Sequence, residues 1–289
     1  MINLLSSADA HTYFAIVAFI LGGMVGSFLN VCVYRIPAGL SIVKPASRCP
    51  KCESAIKWYD NLPIVSWLVL GAKCRNCRAP ISWQYPLVEA VTAVLFLLVF
   101  IRFGFAYITP IYLVFAASMV LVTFVDLTDW TIPDEVTIPG IPIGIAISIV
   151  AMFLPSLNLN VPELRETVFD SLLGVLVGGG ILYGLDRFSL LVLGKPGMGF
   201  GDVKLNAMLG AFFGWKGAIM IIVISAFVGS FVGIGLILIG RLRGEKDASH
   251  YLPFGPYLAV AGLIVMFFGS DIFIYYTDVM MGGALRADF

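Results

Sequence analysis

The sequence predicts an all-α polytopic membrane protein with about eight transmembrane helices. A small cytoplasmic four-cysteine zinc domain is inserted after the first of them. Three observations carry that prediction. Across 289 residues the chain is 60% hydrophobic and 12% charged, with a mean hydropathy of +0.97, whereas a soluble domain is about 25% charged. A water-soluble fold with this composition would present its surface as one apolar patch. Apolar runs near the length needed to span a bilayer, about 20 residues, recur along the chain. Between the first and second of them lies one polar stretch, residues 35–85, with two C-x-x-C pairs. Polarity and repeats that would mark a disordered or collagen-like chain are missing. Eighteen basic and eighteen acidic residues cancel, so no global field points to nucleic acid.

The first span covers about Tyr13 to Val33. No positive charge precedes it and its small residues come too early, so a removable signal peptide is not expected. Further runs lie at about 86–103, 107–125, 136–154, 171–193, 203–214, 217–240 and 254–276. The run 203–214 is short for a span and reads as re-entrant or broken. Glycine pairs Gly22/Gly26 and Gly229/Gly233 suit close helix packing.

Charge placement sets the orientation. With the N-terminus outside and eight alternating segments, the cytoplasmic side receives Arg35, Lys44, Arg48, Lys51, Lys57, Lys73, Arg75 and Arg78 of the island. It also receives Lys195, Lys204, Arg241, Arg243 and Lys246, while the opposite side holds Arg102, Arg165, Lys216 and Arg286. The domain division that follows is a first helix (1–34), a zinc-binding island (35–85) and a polytopic membrane domain (86–289).

In the island, Cys49 and Cys52 are followed after 21 residues by Cys74 and Cys77. Paired C-x-x-C turns aim four thiolates at one tetrahedral point, the arrangement zinc takes in structural sites. A cytoplasmic location disfavours disulfides. With all four positions filled by sulfur, no open coordination site is implied. Cys32, inside the first span, reads as a small buried hydrophobe.

Two acidic stretches border spans on the cytoplasmic side. The first is Asp126-Leu127-Thr128-Asp129-Trp130-Thr131-Ile132-Pro133-Asp134-Glu135, and the second is Gly197-Met198-Gly199-Phe200-Gly201-Asp202. Ionisable groups in such places are expensive and mark functional candidates. Two carboxylates sharing a proton activate water for peptide hydrolysis, one as base and one as acid. Asp134, next to Pro133 at the start of a span, reads more simply as a helix N-cap. Asp202 is open to that reading too. Glu89 and Asp186 lie within apolar runs, either lining a polar cavity or bonded to a local partner. Only two histidines are present, His11 and His250, so histidine-based triads and metal sites are poor candidates.

Taken together, the motifs resemble those of the bifunctional type IV prepilin peptidases, membrane aspartic proteases with a G-x-G-D signature that also N-methylate their product. The resemblance covers nearly the whole chain. It rests on Gly26-Ser27-Phe28-Leu29-Asn30-Val31, Tyr34-Arg35-Ile36-Pro37, the four cysteines, Asp60-Asn61-Leu62-Pro63 and Tyr85-Pro86-Leu87-Val88-Glu89. It continues through Asp126 with Ile132-Pro133-Asp134, Gly199-Phe200-Gly201-Asp202 and Pro253-Phe254-Gly255-Pro256.

The resemblance implies that Asp126 and Asp202 are the catalytic pair, with Asp129 as runner-up for the first position. It implies prepilin and pseudopilin substrates, cleaved after a glycine behind a basic leader at the cytoplasmic face of a bacterial inner membrane. The new N-terminus is then methylated with S-adenosylmethionine. Archaeal relatives that only cleave lack the cysteine island, so its presence here implies both activities. No dinucleotide-type glycine motif locates the cofactor; Asn30, Arg35 and Lys73, where the island meets the membrane, are the candidates. The interval from Asp126 to Asp202 is longer than the family's, and the extra residues are expected in the outside loop around 155–168. A helix C-terminus at Asp126 and an N-terminus at Asp202 would leave the shared proton on Asp126. The alternatives are a transporter or scaffold with a partner-binding zinc island, or a presenilin-like protease cutting within the membrane. Both would place acids deeper, near the midplane.

Overall fold

The computed structural model describes residues 7–154, 167–195, 197–242 and 252–280. The expected insertion around 155–168 falls mostly outside these residues, as do Arg165, Arg243, Lys246 and Arg286. Among the described residues eight α-helices follow in order: α1 (Ser7–Arg35), α2 (Val65–Val69), α3 (Gln84–Phe103), α4 (Thr109–Asp129), α5 (Asp134–Phe153), α6 (Val168–Leu193), α7 (Phe200–Leu242) and α8 (Gly255–Met280). Among the described residues there are no strands beyond two isolated bridges. All these helices except α2 are long and apolar enough to cross a membrane. Large apolar side chains such as Phe153, Leu191 and Phe231 stand exposed on their flanks, the surface a lipid solvent requires.

The chain forms two compact units, Met1–Val125 and Asp126–Phe289. In the first, α1 and α3 pack through glycines, as the Gly22/Gly26 spacing predicts. A methyl on Gly22 would lie 2.7 Å from Ala93 Cα, and one on Gly26 would lie 2.7 Å from Glu89 Cα. Buried Asn30 ties the same helices, donating from Nδ2 to Tyr85 O at 3.0 Å. Beyond α1, the island holds a 3-10 turn at Trp58–Asn61 and the short helix α2.

In the second unit the tightest seam joins α6 to α7. Methyls on Gly174 and Gly210 would each overlap the other residue's carbonyl. Asn206 Nδ2 donates to Gly178 O at 2.9 Å, and Ser171 Oγ donates to Ala211 O. The second glycine pair is looser, with Gly229 against the Tyr257 ring and Gly233 in ordinary contact with Leu252.

α7 is not one rod. Gly214 takes φ 72°, ψ 179°, open to glycine and costly for other residues. Gly174 lies beside both Gly210 and Gly214, while Gly178 lies beside both Asn206 and Ala218. The chain therefore doubles back at Gly214. The first arm spans about 21 Å at 1.5 Å per residue, and the second returns antiparallel to α8, with Lys216 Nζ 5.1 Å from the Phe273 ring and Gly229 against Tyr257. These arms are the runs 203–214 and 217–240.

Local chemistry sets the helix ends. α6 opens with a capping box: Thr167 N–H donates to Asp170 Oδ2 at 2.9 Å, and Thr167 Oγ1 accepts Asp170 N–H at 3.3 Å. It closes on Gly194 at φ 67°, the left-handed C-cap that glycine favours. Asp134 departs from expectation. The cap position of α5 belongs to Pro133, and no side chain caps it. Asp134 sits one residue inside the helix, where its carboxylate pairs with Lys204 Nζ.

Candidate active site and cysteine domain

Two buried carboxylates stand at helix ends in the second unit. Asp126 lies in the last turn of α4 and is 5% exposed, whereas Asp202 lies in the first turn of α7 and is 7% exposed. Asp126 Oδ2 accepts the N–H of Gly255, the first residue of α8, at 3.0 Å. Asp202 Oδ2 accepts the N–H of Gly199 at 3.2 Å. That second bond is the back half of a capping box, so the capping role open to Asp202 is real and coexists with its place opposite Asp126. The two carboxylates lie within electrostatic range of each other.

Ile132 holds the two loops together. A methyl on Gly201 would lie 2.9 Å from Ile132 Cβ; one on Gly255 would lie 3.0 Å from Ile132 Cδ1 and 2.5 Å from Asp126 Oδ2. Glycine is therefore required at 201 and 255 by close approach. Trp130, at φ 56°, turns the chain from α4 into α5 and brings Ile132 under the pair. Asp129 is exposed at the end of α4 and accepts the Thr128 hydroxyl at 3.0 Å.

Asp186, left open by sequence, finds its partner in the loop leading to Asp202. From α6 its Oδ1 accepts the N–H groups of Gly197 at 3.1 Å and Met198 at 3.3 Å. One turn on, Ser189 Oγ donates to Lys195 O at 3.1 Å. An acid within an apolar run signals function; beside its neighbour Arg187, 3.7 Å away, its partners are backbone groups eleven and twelve residues ahead, which no spacing motif records.

In the island, the thiols of Cys49, Cys52, Cys74 and Cys77 all lie within 4.8 Å of one another. Cys49 and Cys77 sulfurs are 3.8 Å apart, near the roughly 3.8 Å edge of a tetrahedron with 2.3 Å Zn–S bonds. The two knuckles repeat one design. Glu53 and Arg78, each just after the second cysteine, take φ 56° and 58°. Their N–H groups return to Cys49 O at 2.9 Å and Cys74 O at 3.0 Å. The Ser54 hydroxyl and N–H pull the Cys52 thiol down to about 6, and backbone N–H groups of Cys77 and Asn76 lower that of Cys74. The Cys77 thiol, beside the other three sulfurs, is pushed up to about 11, so it is the convergence of four sulfurs within 4.8 Å that fits structural zinc. Lys73 flanks the second knuckle, its backbone bridged to Pro80.

The first unit also contains a cleft of about 400 Å³, lined by the end of α1, the segment before Cys49 and the Trp58–Pro63 turn. Arg35 lines it, its guanidinium donating to Ser41 O at 2.9 Å and Pro45 O at 2.7 Å. Asn30 is engaged with α3 instead. Buried Glu89, the other unassigned acid, holds the cleft wall: its Oε2 accepts Ile64 N–H at 2.7 Å.

Comparison with known proteins gives the ancestry. A prepilin leader peptidase/N-methyltransferase of Aeromonas hydrophila is 35% identical over 288 residues, 91% of this chain and 93% of the relative. This chain belongs to the type IV leader peptidase family. The family's own sequence profile matches residues 113–234, and that of the bacterial peptidase A24 N-terminal domain matches residues 20–103. A prepilin leader peptidase/N-methyltransferase of Pseudomonas aeruginosa is 34% identical over 282 residues, 90% of this chain and 92% of the relative. No solved structure matches. The leader peptidase profile thus contains both Asp126 and Asp202, and the N-terminal profile contains all four cysteines.

Proposed function

We propose that this chain cleaves the basic leader from type IV prepilins and pseudopilins and then N-methylates the new N-terminus. The observation that carries the reading is the pair of buried carboxylates at the meeting ends of α4 and α7, each held by a backbone N–H. Each accepts one such bond, so hydrogen bonding does not distinguish them. Asp202 lies in the first turn of its own helix, whose positive end favours its charge, whereas Asp126 lies between the negative end of α4 and the positive end of α8; on that difference we assign the shared proton to Asp126. Asp202 takes a proton from water as the water oxygen attacks the scissile carbonyl carbon, while Asp126 protonates the carbonyl oxygen to give a diol. Collapse breaks the C–N bond: the leaving amine takes the proton held by Asp202, a diol hydroxyl returns its proton to Asp126, and the pair is back in its starting state. Burial of Asp126, against exposure of Asp129, supports the former as partner. Both acids sit near helix ends rather than mid-span, which favours this reading over transport.

The division of labour follows the segments 1–34, 35–85 and 86–289: a first helix, a zinc-bound island serving methylation and a membrane peptidase. The four cysteines hold zinc as a structural ion. When bound, S-adenosylmethionine supplies the methyl, which replaces a proton on the new α-amine and leaves S-adenosylhomocysteine. Arg35, Asn30 and Lys73 are the residues proposed to serve it, Arg35 by facing the cofactor and the others by holding its surroundings. The protein resides in a bacterial inner membrane with its N-terminus outside and both sites toward the cytoplasm. There the basic leader meets the exposed carboxylates of Asp129 and its neighbours at short range.

The test is prepilin cleavage in liposomes, read by intact mass. Wild type removes the leader and, with S-adenosylmethionine, adds one methyl. Asp126→Asn and Asp202→Asn each lower cleavage by about 10²–10⁴-fold, the usual contribution of a positioned acid or base. Full activity in either variant rejects the pair; cutting by Asp126→Asn but not Asp129→Asn moves the first role to Asp129.

A further inference from the structure

We propose that the cleft walled by Arg35, Trp58 and the Asn61–Pro63 turn is where S-adenosylmethionine binds. The inference rests on the methylation reading and gives it a place. Its volume, about 400 Å³, falls in the range of about 300–1,000 Å³ typical of small-molecule sites.

Its chemistry matches a nucleoside bearing a sulfonium and an amino-acid end. Trp58, on the cleft wall, is 79% exposed. Its face is available to stack an adenine or to meet a sulfonium cation. Both terminal nitrogens of Arg35 are held by neutral carbonyls, and among the described residues no carboxylate pairs with it. Its full charge is therefore presented to a ligand carboxylate. The one acid in the adjoining turn, Asp60, is already neutralised. Arg75 grips it through three contacts of 2.6–3.1 Å, so it does not repel an anionic end. Arg75 lies between Cys74 and Cys77, which ties the zinc knuckle to the wall.

The wall is also built at a cost. Ile64, a β-branched residue, is held at φ 61°, ψ −49°, a genuine outlier. What holds it is the buried Glu89 carboxylate, which accepts its N–H and also the hydroxyl of Ser27 on the cleft floor. Ser66 Oγ accepts Leu62 N–H at 3.0 Å and donates to Tyr59 O at 2.9 Å. Backbone strain of this kind, here next to the lining residue Pro63, clusters at ligand clamps.

The probe is S-adenosylhomocysteine, titrated by calorimetry into the full zinc-loaded chain in nanodiscs. Wild type should bind it at a single site. Trp58→Ala, which removes the platform, and Ala46→Phe, which fills the cleft from its other wall, should each weaken binding at least tenfold. Both should keep their zinc and their melting temperature. Trp83→Ala removes another exposed island tryptophan, 69% exposed and outside the cleft, and should bind as wild type does. Wild-type affinity in Trp58→Ala, Ala46→Phe and Arg35→Gln alike would overturn the cleft while leaving the methylation reading intact. So would equal loss in Trp83→Ala. Absence of binding by wild type, together with no mass gain on a cleaved pilin, would overturn both.

Discussion

Single atoms decide the geometry of the acid pair, and two residues outside it carry testable weight. Gly255 approaches so closely that a methyl would stand 2.5 Å from Asp126 Oδ2. Gly255→Ala should therefore push the carboxylate aside and lower kcat on the order of 10²-fold, the effect of an ångström-scale misplacement. The melting temperature, followed in parallel, should fall far less than the activity. Asp186 acts through backbone, accepting two N–H groups from the loop that delivers Asp202. It is a positioning residue. Asp186→Leu should lower kcat roughly 10–100-fold, as loss of a supporting hydrogen bond does, with KM little changed. Asp186→Asn retains an oxygen that accepts both bonds and should recover most of the rate. Equal loss in both variants, or a rise in KM alone, would show that the loop does not depend on this contact.

Helix pairs and knuckles turn such contacts into separate elements with separate tolerances. At the α6–α7 seam the backbones touch, so Gly174→Leu should destabilise by about 1–3 kcal/mol or more through overpacking. The same change at Gly180, which faces open space, should not, and thermal unfolding in detergent distinguishes them. In the island, Cys74→Ser should lower bound zinc from one per chain toward none, and protease cutting should rise selectively within residues 35–85. Metal binding is folding energy for so small a domain. Spans and knuckles were legible in the sequence because hydropathy and the C-x-x-C spacing act locally. That the run 203–214 is short and broken was legible as well, but the partners of its reversal were not. Its reversal depends on one glycine dihedral and on Gly174 and Gly178 of a different helix. Asp126 and Asp202 were legible as a pair through motif resemblance. The partner of each, Gly255 and Gly199, and the engagement of Asp134 with Lys204 were set by tertiary approach. Asn30, a polar residue at a span's end, was indistinguishable in sequence from a ligand-facing one; its amide in fact braces α1 against α3.

At the scale of the whole chain, the reversal at Gly214 decides how many times the membrane is crossed. A single crossing by α7 would start α8 on the face opposite Asp202. The Gly255 N–H, at the start of α8, instead reaches Asp126 at 3.0 Å, and that requires the chain to have returned. We count the two arms as separate crossings, eight in all, although the first arm, at about 21 Å, is shorter than a hydrocarbon core of about 30 Å. The number matters for the charges, because it returns Arg241 to the same side as the Gly194–Gly199 loop. The orientation proposed above, drawn from the positive-inside rule, has that side in the cytoplasm. Alkaline phosphatase fusions, active only when exported, read this out. Fusions after Gly104 and Gly214 should be active, whereas those after Asp60, Trp130, Gly197 and Arg241 should be silent. An active fusion at Arg241 with a silent one at Gly214 would mean α7 crosses once, and α8 could not deliver its N–H to Asp126. The opposite pattern at every site would preserve the eight crossings and turn the protein over, removing the acid pair from the compartment where leader-bearing pilins are made.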